Sequence, residues 1–308
     1  MTTHYGRPVR ALRPGDCLAL IAPAGPADFD HAAAHLWAEG HGYRLKIYPG
    51  VSQKAGYLAG SDAVRLADLH AAFAAPDIAA ILCIRGGYGS PRLLDQIDYA
   101  LIAANLKPFV GYSDLTALHQ ALWLETGCVT FHGPMMRPDL LTPRLLPTEA
   151  LLLQMLRGVL GEGDVIEHPS EFPLTTLASG TTEGRLTGGN LTMIGASLGT
   201  PWPIDTQDSV LFIEDVNEPL FRIDRTLNQL RLAGKFKGLK GVLLGDVAKV
   251  EQAPLFELVQ ATFAHLNIPV LAGWRSGHCD PNLTLPLGAQ VVLDADRQQV
   301  RLAQPITY

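Results

Sequence analysis

Through its first 135 residues the chain alternates short apolar runs with stretches of helical period. CLALIAP (17–23) is aliphatic and closes on Pro and Gly, as a strand buried on both faces of a parallel sheet does. A helical pattern over 27–39 leads to a second strand, YRLKIYP (43–49). The helix SDAVRLADLHAAFAA (61–75) then leads to a third strand, AAILCIRG (79–86). After SPRLLDQIDYALIAAN (90–105) come KPFVGYS (107–113), the helix DLTALHQALWLET (114–126) and the apolar CVTFHGP (128–134). Strand–helix alternation on this period predicts a parallel sheet with helices on both faces. Sites in that architecture gather beyond the carboxyl ends of the strands. The turn Pro23-Ala24-Gly25, the turn Arg85-Gly86-Gly87 and Ser113 all fall there.

The pattern changes at 136–181. Met136-Arg137-Pro138 opens a stretch dotted with prolines, a helix covers about 148–157, and GEGDVIEHPSEFPL (161–174) reads as loop. Beyond it EGRLTGG (183–189), SVLFIED (209–215) and LKGVLLGD (239–246) are strand-like, with a helix near 254–265 and short β segments to the end. PLFRIDRTLNQLRLAG (219–234) is a marked helix: Pro219 suits its first turn, Gly234 its exit, and Leu220, Ile223, Leu227 and Leu230 form one apolar stripe. Arg222, Arg225 and Gln229 share its polar face. The expected fold is α/β: an N-terminal doubly wound parallel sheet (1–136) of flavodoxin-like or Rossmann-like kind, a linker with a helix (137–181), and a C-terminal mixed α/β domain (182–308) with a small barrel-like sheet.

Composition narrows the partners. Of 308 residues, 47% are hydrophobic and 18% charged, the balance of a globular chain. Lys+Arg 24 against Asp+Glu 30 leaves −6 with no run of like charge, so neither nucleic acid nor an anionic membrane surface is implied. Cys17, Cys83, Cys128 and Cys279 are scattered, with no CxxC, and read as reduced thiols of a cytosolic protein. Arg10 and Arg13 before CLALIAPAGPA imitate a secretion signal. The apolar segment is too short, and Pro14-Gly15-Asp16 interrupts its approach, so a first strand and a cytoplasmic location are expected. His31 and His35 stand at i,i+4 but lack a third ligand nearby, so no metal is expected.

Three residue types that acyl transfer needs each follow an apolar strand: Ser113 after FVGY, Glu214 after VLFI and His278 after PVLAGWRSG. A serine hydroxyl attacks a carbonyl only when a base takes its proton. A histidine does so near neutral pH, and a carboxylate holds its tautomer and stabilises the imidazolium. The order Ser, acid, His is one of several that build this arrangement. At a helix start, Ser113 also directs the Asp114 N–H toward a developing oxyanion, and the Gly86-Gly87 turn offers a second donor. Serine before a helix is equally a common cap, and a residue there can cap in geometry while attacking in chemistry. Taken singly, Glu214 also reads as a salt-bridge carboxylate and His278 as a loop histidine.

The blocks IAPAGP (21–26), RGGYGS (85–90), GYSDLTALH (111–119), FHGPM (131–135), GRLTGGNL (184–191), GTPWPID (199–205), IEDVNEPLFRIDRTLNQL (213–230), and GH followed by LTLPLGA (277–278, 283–289) occur in this order. Together they resemble the LD-carboxypeptidase family of serine peptidases, over nearly the whole chain. That resemblance implies Ser113 as nucleophile, Glu214 as acid and His278 as base. It also implies an oxyanion hole from the backbone N–H groups of Gly86 and Asp114. No cofactor is implied.

The implied reaction removes the terminal D-alanine of murein tetrapeptide, after a diaminopimelate-type residue, in a homodimer. Something must read the terminal carboxylate, and Arg85, Arg222 and Arg225 are the candidates, although arginines in an Arg-Ile-Asp-Arg run also pair with local acids. Asn190 lines the site or simply caps a helix. His132 and Trp202 are assigned packing only. Two other readings stand beside this one: a self-immunity peptidase of the same family cleaving an aminoacyl-nucleotide antibiotic, and a non-enzymatic protein in which RGGYGS cradles an anion. The first is disfavoured because no aromatic-rich insertion precedes GRLTGG.

Overall fold

Residues 6–308 are described in the computed structural model of the chain. Strands β1 (Cys17–Ile21), β2 (Arg44–Ile47), β3 (Ile78–Cys83), β4 (Phe109–Gly111) and β5 (Thr130–His132) are all parallel and stand in the order 5-4-3-1-2. That is the flavodoxin-like order, with the winding reversed between β1 and β3. β1 and β3 are buried along their whole length, which is why their sequences are unbroken aliphatic runs rather than alternating ones. Helix α1 (His31–Gly40) puts Ala34 and Ala38 against Leu18 and Leu20 on one face of β1. α2 (Asp62–Ala74), α3 (Tyr99–Ala104) and α4 (Thr116–Thr126) cover the other face, where Leu69, Phe73, Ile102 and Leu118 meet Ala19 and Ile21. The doubly wound expectation is met. Within 90–105 the helical character divides into a 3₁₀ turn, Ser90–Gln96, and α3, which Asp98 caps by accepting from Leu101 N–H at 2.9 Å.

Helix α5 (Thr148–Leu156) precedes a second, seven-stranded sheet. Its strands are β6 (Thr175–Ala178), β7 (Thr181–Asn190), β8 (Ser209–Val216), β9 (Gly241–Ala248), β10 (Val270–Ala272), β12 (Gln290–Asp294) and β13 (Gln299–Leu302), in the order 13-12-7-8-9-10-6. β7 to β10 are parallel, and antiparallel strands flank them on both sides. The outer strands approach each other at one end: Thr176 Oγ1 donates to the Ala295 carbonyl at 2.5 Å, and the amide of Gln298 to that of Leu174 at 3.2 Å. These bonds curl the sheet into a half-barrel. The short strand β11 (Leu285–Leu287) leaves this unit and pairs antiparallel with β5 as the sixth strand of the first sheet.

Alternation decides what each face of the second sheet meets. Val210 and Phe212 of β8 join a core shared with Leu18 and Val110 of the first sheet. Leu211 and Ile213 point the other way, onto α6 (Leu191–Ala196), α7 (Leu220–Leu232) and α8 (Gln252–Phe263). The α7 stripe docks there through Ile223, Leu227 and Leu230, with Leu220 half-buried. No helix among the described residues is long and apolar enough to cross a membrane.

Candidate active site

The chain leaves β4 at Gly111, runs extended through Tyr112 and turns sharply at Ser113, whose φ is +65°. A residue with a β-carbon held in the left-handed region is strained, and such strain concentrates at sites of function. This corrects the expectation that Ser113 caps a helix. A 3₁₀ turn, Ser113–Leu115, comes before α4, and neither start is capped by a side chain. The hydroxyl instead meets His278 Nε2 at 3.1 Å. His119, passed over by the sequence reading, steadies the strand from behind. Its Nε2–H donates to the Gly111 carbonyl at 2.8 Å, while Nδ1 accepts from Thr130 Oγ1 at 2.8 Å. Burial pushes its pKa down to about 4, so the ring is neutral.

Glu214 continues the inward face of Val210 and Phe212, and a register shift against β9 falls between Ile213 and Asp215. Such a bulge re-aims the side chain it carries. The carboxylate is fully buried, and Oε2 accepts the His278 Nδ1–H at 2.6 Å and the His278 backbone N–H at 3.2 Å. An acceptor-only carboxylate makes Nδ1 the donor, which leaves Nε2 to accept from Ser113. Asp215, one residue on, faces away: it accepts from Thr192 N–H and Oγ1, both at 2.9 Å, and from Asn190 Nδ2 at 3.0 Å. Burial works to lower the pKa of His278. The charge and hydrogen bond of Glu214, helped by Asp215 and Asp139, outweigh it and raise the value above 6.5.

The loop carrying His278 is pinned. Ser276 Oγ donates to the Leu283 carbonyl at 2.7 Å, and the Gly277 N–H donates to Asn282 Oδ1 at 2.8 Å. Gly277, at φ +98°, lies directly on the Glu214 carboxylate, where a β-carbon would collide with it. The turn after β3 is pinned as well. Asp114 Oδ2 accepts the Ser90 N–H at 2.8 Å, and Ser90 Oγ donates to the Asp114 carbonyl at 2.6 Å. The Gly86 carbonyl accepts from Gly25 N–H at 3.1 Å. Gly86 packs so closely on Ser113 that an added β-carbon would stand 2.9 Å from Ser113 Cβ and 3.1 Å from Oγ.

Ser113 and His278 open into a cleft of about 520 Å³, also lined by Arg85, Gly86, Tyr112, Asp28, Lys54 and Arg137. Of the other sequence candidates, Arg85 and Gly86 are in the cleft, and Asp114 follows Ser113 directly. Asn190 is buried as the cap of α6, accepting from Met193 N–H at 3.1 Å, beside Glu214 in the sheet register. Arg222 and Arg225 are not brought to the cleft. They stand exposed on α7, Arg222 3.4 Å from Glu218 and Arg225 over the Phe221 ring. Sequence reasoning missed Asp28, Lys54 and Arg137, although the rule that sites follow parallel strands applies to each. It also missed Asp139, whose carboxyl burial pushes up to about 6 against the Met135 N–H and the Arg144 guanidinium. His132 is buried against Phe212 and Tyr112, and Trp202 packs by Tyr99. No three His, Cys, Asp or Glu side chains among the described residues are grouped to hold a metal ion.

Residues 18–133 match the LD-carboxypeptidase N-terminal domain and residues 183–293 the LD-carboxypeptidase C-terminal domain. The probable murein peptide carboxypeptidase of Bacillus subtilis is 39% identical over 92% of this chain and 91% of its own. The murein tetrapeptide carboxypeptidase of Pseudomonas aeruginosa is 35% identical over 91% and 94%. The microcin C7 self-immunity protein MccF of Escherichia coli is 31% identical over 74% of this chain and 75% of its own. A solved structure of MccF superposes with a TM-score of 0.88 at 26% identity, over 98% of this chain and 100% of that one.

Proposed function

Because this chain belongs to the LD-carboxypeptidase family and is a serine carboxypeptidase, we propose that it releases the terminal D-alanine of murein tetrapeptide through Ser113, His278 and Glu214. The observation that carries the reading is the unbroken contact from Ser113 Oγ through the imidazole to a buried carboxylate, at 3.1 and 2.6 Å. His278 Nε2 takes the hydroxyl proton as Ser113 attacks the carbonyl of the diaminopimelate-type residue. Glu214 holds the Nδ1–H tautomer and stabilises the imidazolium. The N–H groups of Gly86 and Asp114 receive the oxyanion, at the end of a turn locked by the Asp114–Ser90 bonds. His278 then protonates the departing amine of D-alanine, and a water repeats the sequence to free the acyl group. A cation in the cleft reads the terminal carboxylate; Arg85 lines the cleft, while Arg222 and Arg225 stand exposed on α7. The resemblance also supports a homodimer and a cytoplasmic location.

The self-immunity reading draws on the backbone likeness to MccF. Against it, the rings lining the cleft among the described residues are Tyr112 and His278, and Tyr112 packs edge-on against His278. Membership in a family of serine carboxypeptidases sets the non-enzymatic reading aside. Incubation with L-Ala-D-Glu-diaminopimelate-D-Ala should release one alanine by mass spectrometry. Intact tetrapeptide beside a cleaved aminoacyl-nucleotide overturns the murein assignment in favour of the rival. A fluorophosphonate should label the wild-type protein and leave Ser113→Ala unlabelled. Equal labelling of the two removes Ser113 as nucleophile.

A further inference from the structure

Residues 135–148, MMRPDLLTPRLLPT, run from just after β5 to the first residue of α5. Prolines at 138, 143 and 147 fix φ and so stiffen the segment. Its first turn, Met136–Leu140, is a π turn: the N–H groups of Leu140 and Leu141 donate five residues back, to the carbonyls of Met135 and Met136, at 3.2 and 2.9 Å. Such turns are rare and gather at functional sites. This one carries Asp139 inward, its side chain fully buried, where Oδ2 accepts the Met135 N–H at 2.9 Å.

The segment touches three places that build the proposed triad. At its start the Arg137 N–H donates to the Ile84 carbonyl at 3.0 Å, at the exit of β3 and immediately before Arg85-Gly86. In its middle Asp139 stands near Tyr112, the residue between β4 and Ser113, and its charge adds to burial in pushing the phenol's pKa up. Tyr112 in turn packs edge-on against the His278 ring at 5.1 Å. At its end the segment grips the His278 loop. The Leu145 N–H donates to Asp280 Oδ1 at 2.8 Å, the Asn282 N–H donates to Thr148 Oγ1 at 2.9 Å, and Arg144 Nη1 stands 3.9 Å from Asp280 Oδ2. Arg144 joins middle to end. Its Nη2 is 3.2 Å from Asp139 Oδ1, and Nε and Nη2 donate to the Pro138 carbonyl at 3.1 and 3.0 Å.

Ser113 and His278 follow strands of different sheets, β4 and β10, so the 3.1 Å between hydroxyl and imidazole depends on contacts made from one unit to the other. We propose that residues 135–148 are a strap that sets the His278 imidazole against Ser113, with Asp280 and Asp139 as positioning residues linked through Arg144. The inference rests on the triad of the carboxypeptidase reading and deepens it. Asp280 holds the loop chiefly through the Leu145 N–H, since its ion pair with Arg144 is long and partly exposed. Asp139 acts by charge as well as by contact. The charged and titratable groups around His278 are Glu214 and Asp215 on β8, Asp246 on β9, His132 on β5 and Asp139 on the strap.

The test compares kcat and KM on the tetrapeptide with the rate of fluorophosphonate labelling of Ser113, which needs no peptide. Asp280→Ala should lower kcat and the labelling rate about tenfold, with KM within about twofold of wild type. Asp280→Asn keeps an acceptor for the Leu145 N–H and should stay within about threefold of wild type. Arg144→Met should also cost about tenfold in kcat, and Arg144→Lys, which keeps the charge between the two acids, should stay within about threefold. Combining Arg144→Met with Asp280→Ala should lose little more than the larger single change, because both cut one connection. Asp139→Asn removes one of the charges that hold the His278 pKa up, so the acid limb of kcat/KM should move to lower pH. Urea midpoints of the Asp280 variants should match wild type, which separates a misplaced imidazole from an unfolded chain. An Asp280→Ala enzyme with wild-type kcat and labelling, or equal losses in Asp280→Ala and Asp280→Asn, overturns the strap and leaves the carboxypeptidase reading standing. An acid limb unmoved in Asp139→Asn removes Asp139 from it. A wild-type protein that neither takes the label nor cleaves the tetrapeptide overturns both.

Discussion

At Ser113 the backbone sits where an L-residue is strained, and the group packed against it, Gly86, has no room for a side chain. Gly86 does not itself need a left-handed φ, so Gly86→Ala tests contact alone. The new methyl must push Ser113 off its line to His278, and kcat should fall by roughly 10²-fold or more, with loss of fluorophosphonate labelling and an unchanged far-UV circular dichroism spectrum. The acid can be tested by pH. The proposed base His278 must be neutral to take a proton, and its pKa is raised, so kcat/KM should fall as pH drops through a midpoint above 6.5. Glu214→Gln removes the main cause of the rise and leaves burial, which lowers the value. Its acid limb should therefore move to lower pH while kcat drops by about 10³- to 10⁴-fold, both read from one pH–rate profile. The residue types are legible in the sequence. Orientation is not: Glu214 and Asp215 are adjacent acids, and their opposite directions follow from strand alternation and a bulge that depend on neighbouring strands.

Among the elements, α7 shows how far periodicity reaches. The stripe Ile223, Leu227 and Leu230 is buried as its spacing predicts, while Leu232 is 71% exposed. Leu227→Ala should lower stability by about 2–4 kcal/mol in urea unfolding, and Leu232→Ala by less than about 0.5 kcal/mol. Polar faces carry no such signal. Arg222 and Arg225 were attractive as readers of a carboxylate because they follow Glu214 in sequence. The helix turns them outward, where Arg222 meets Glu218. The loop after β10 shows its Gly277-His278 pair in the sequence but not the internal bonds that hold the imidazole in place.

For the molecule as a whole, the proposed triad draws on both sheets. Ser113 follows a strand of the first, Glu214 ends the inward face of a strand in the second, and β11 crosses back from the His278 loop to pair with β5. The cleft gathers exposed cations within an acidic chain, so long-range attraction should assist an anionic peptide. Raising NaCl from 0.05 to 0.5 M should increase KM for the tetrapeptide by about three- to tenfold and leave kcat nearly unchanged, since screening reaches exposed charges and spares the buried His278–Glu214 pair. A KM independent of salt in steady-state kinetics contradicts that expectation. Arg137 and Lys54 escaped the sequence reading because neither lies within a block that carries the family resemblance, Arg137 standing two residues beyond FHGPM. Their relation to Ser113 exists only through the spatial order of strands far apart in the chain.

By itself the sequence determined the parallel first sheet, the helix faces, the residue types of the hydrolytic chemistry and the family they resemble, because apolar period, turn residues and motif order are local and survive in one dimension. The tertiary structure alone decided which acid faces the histidine, that the Ser113 hydroxyl does not cap its helix, and which cations share its cleft. Those outcomes depend on strand order, register and the return of β11, and each is a relation between segments that the linear chain leaves far apart.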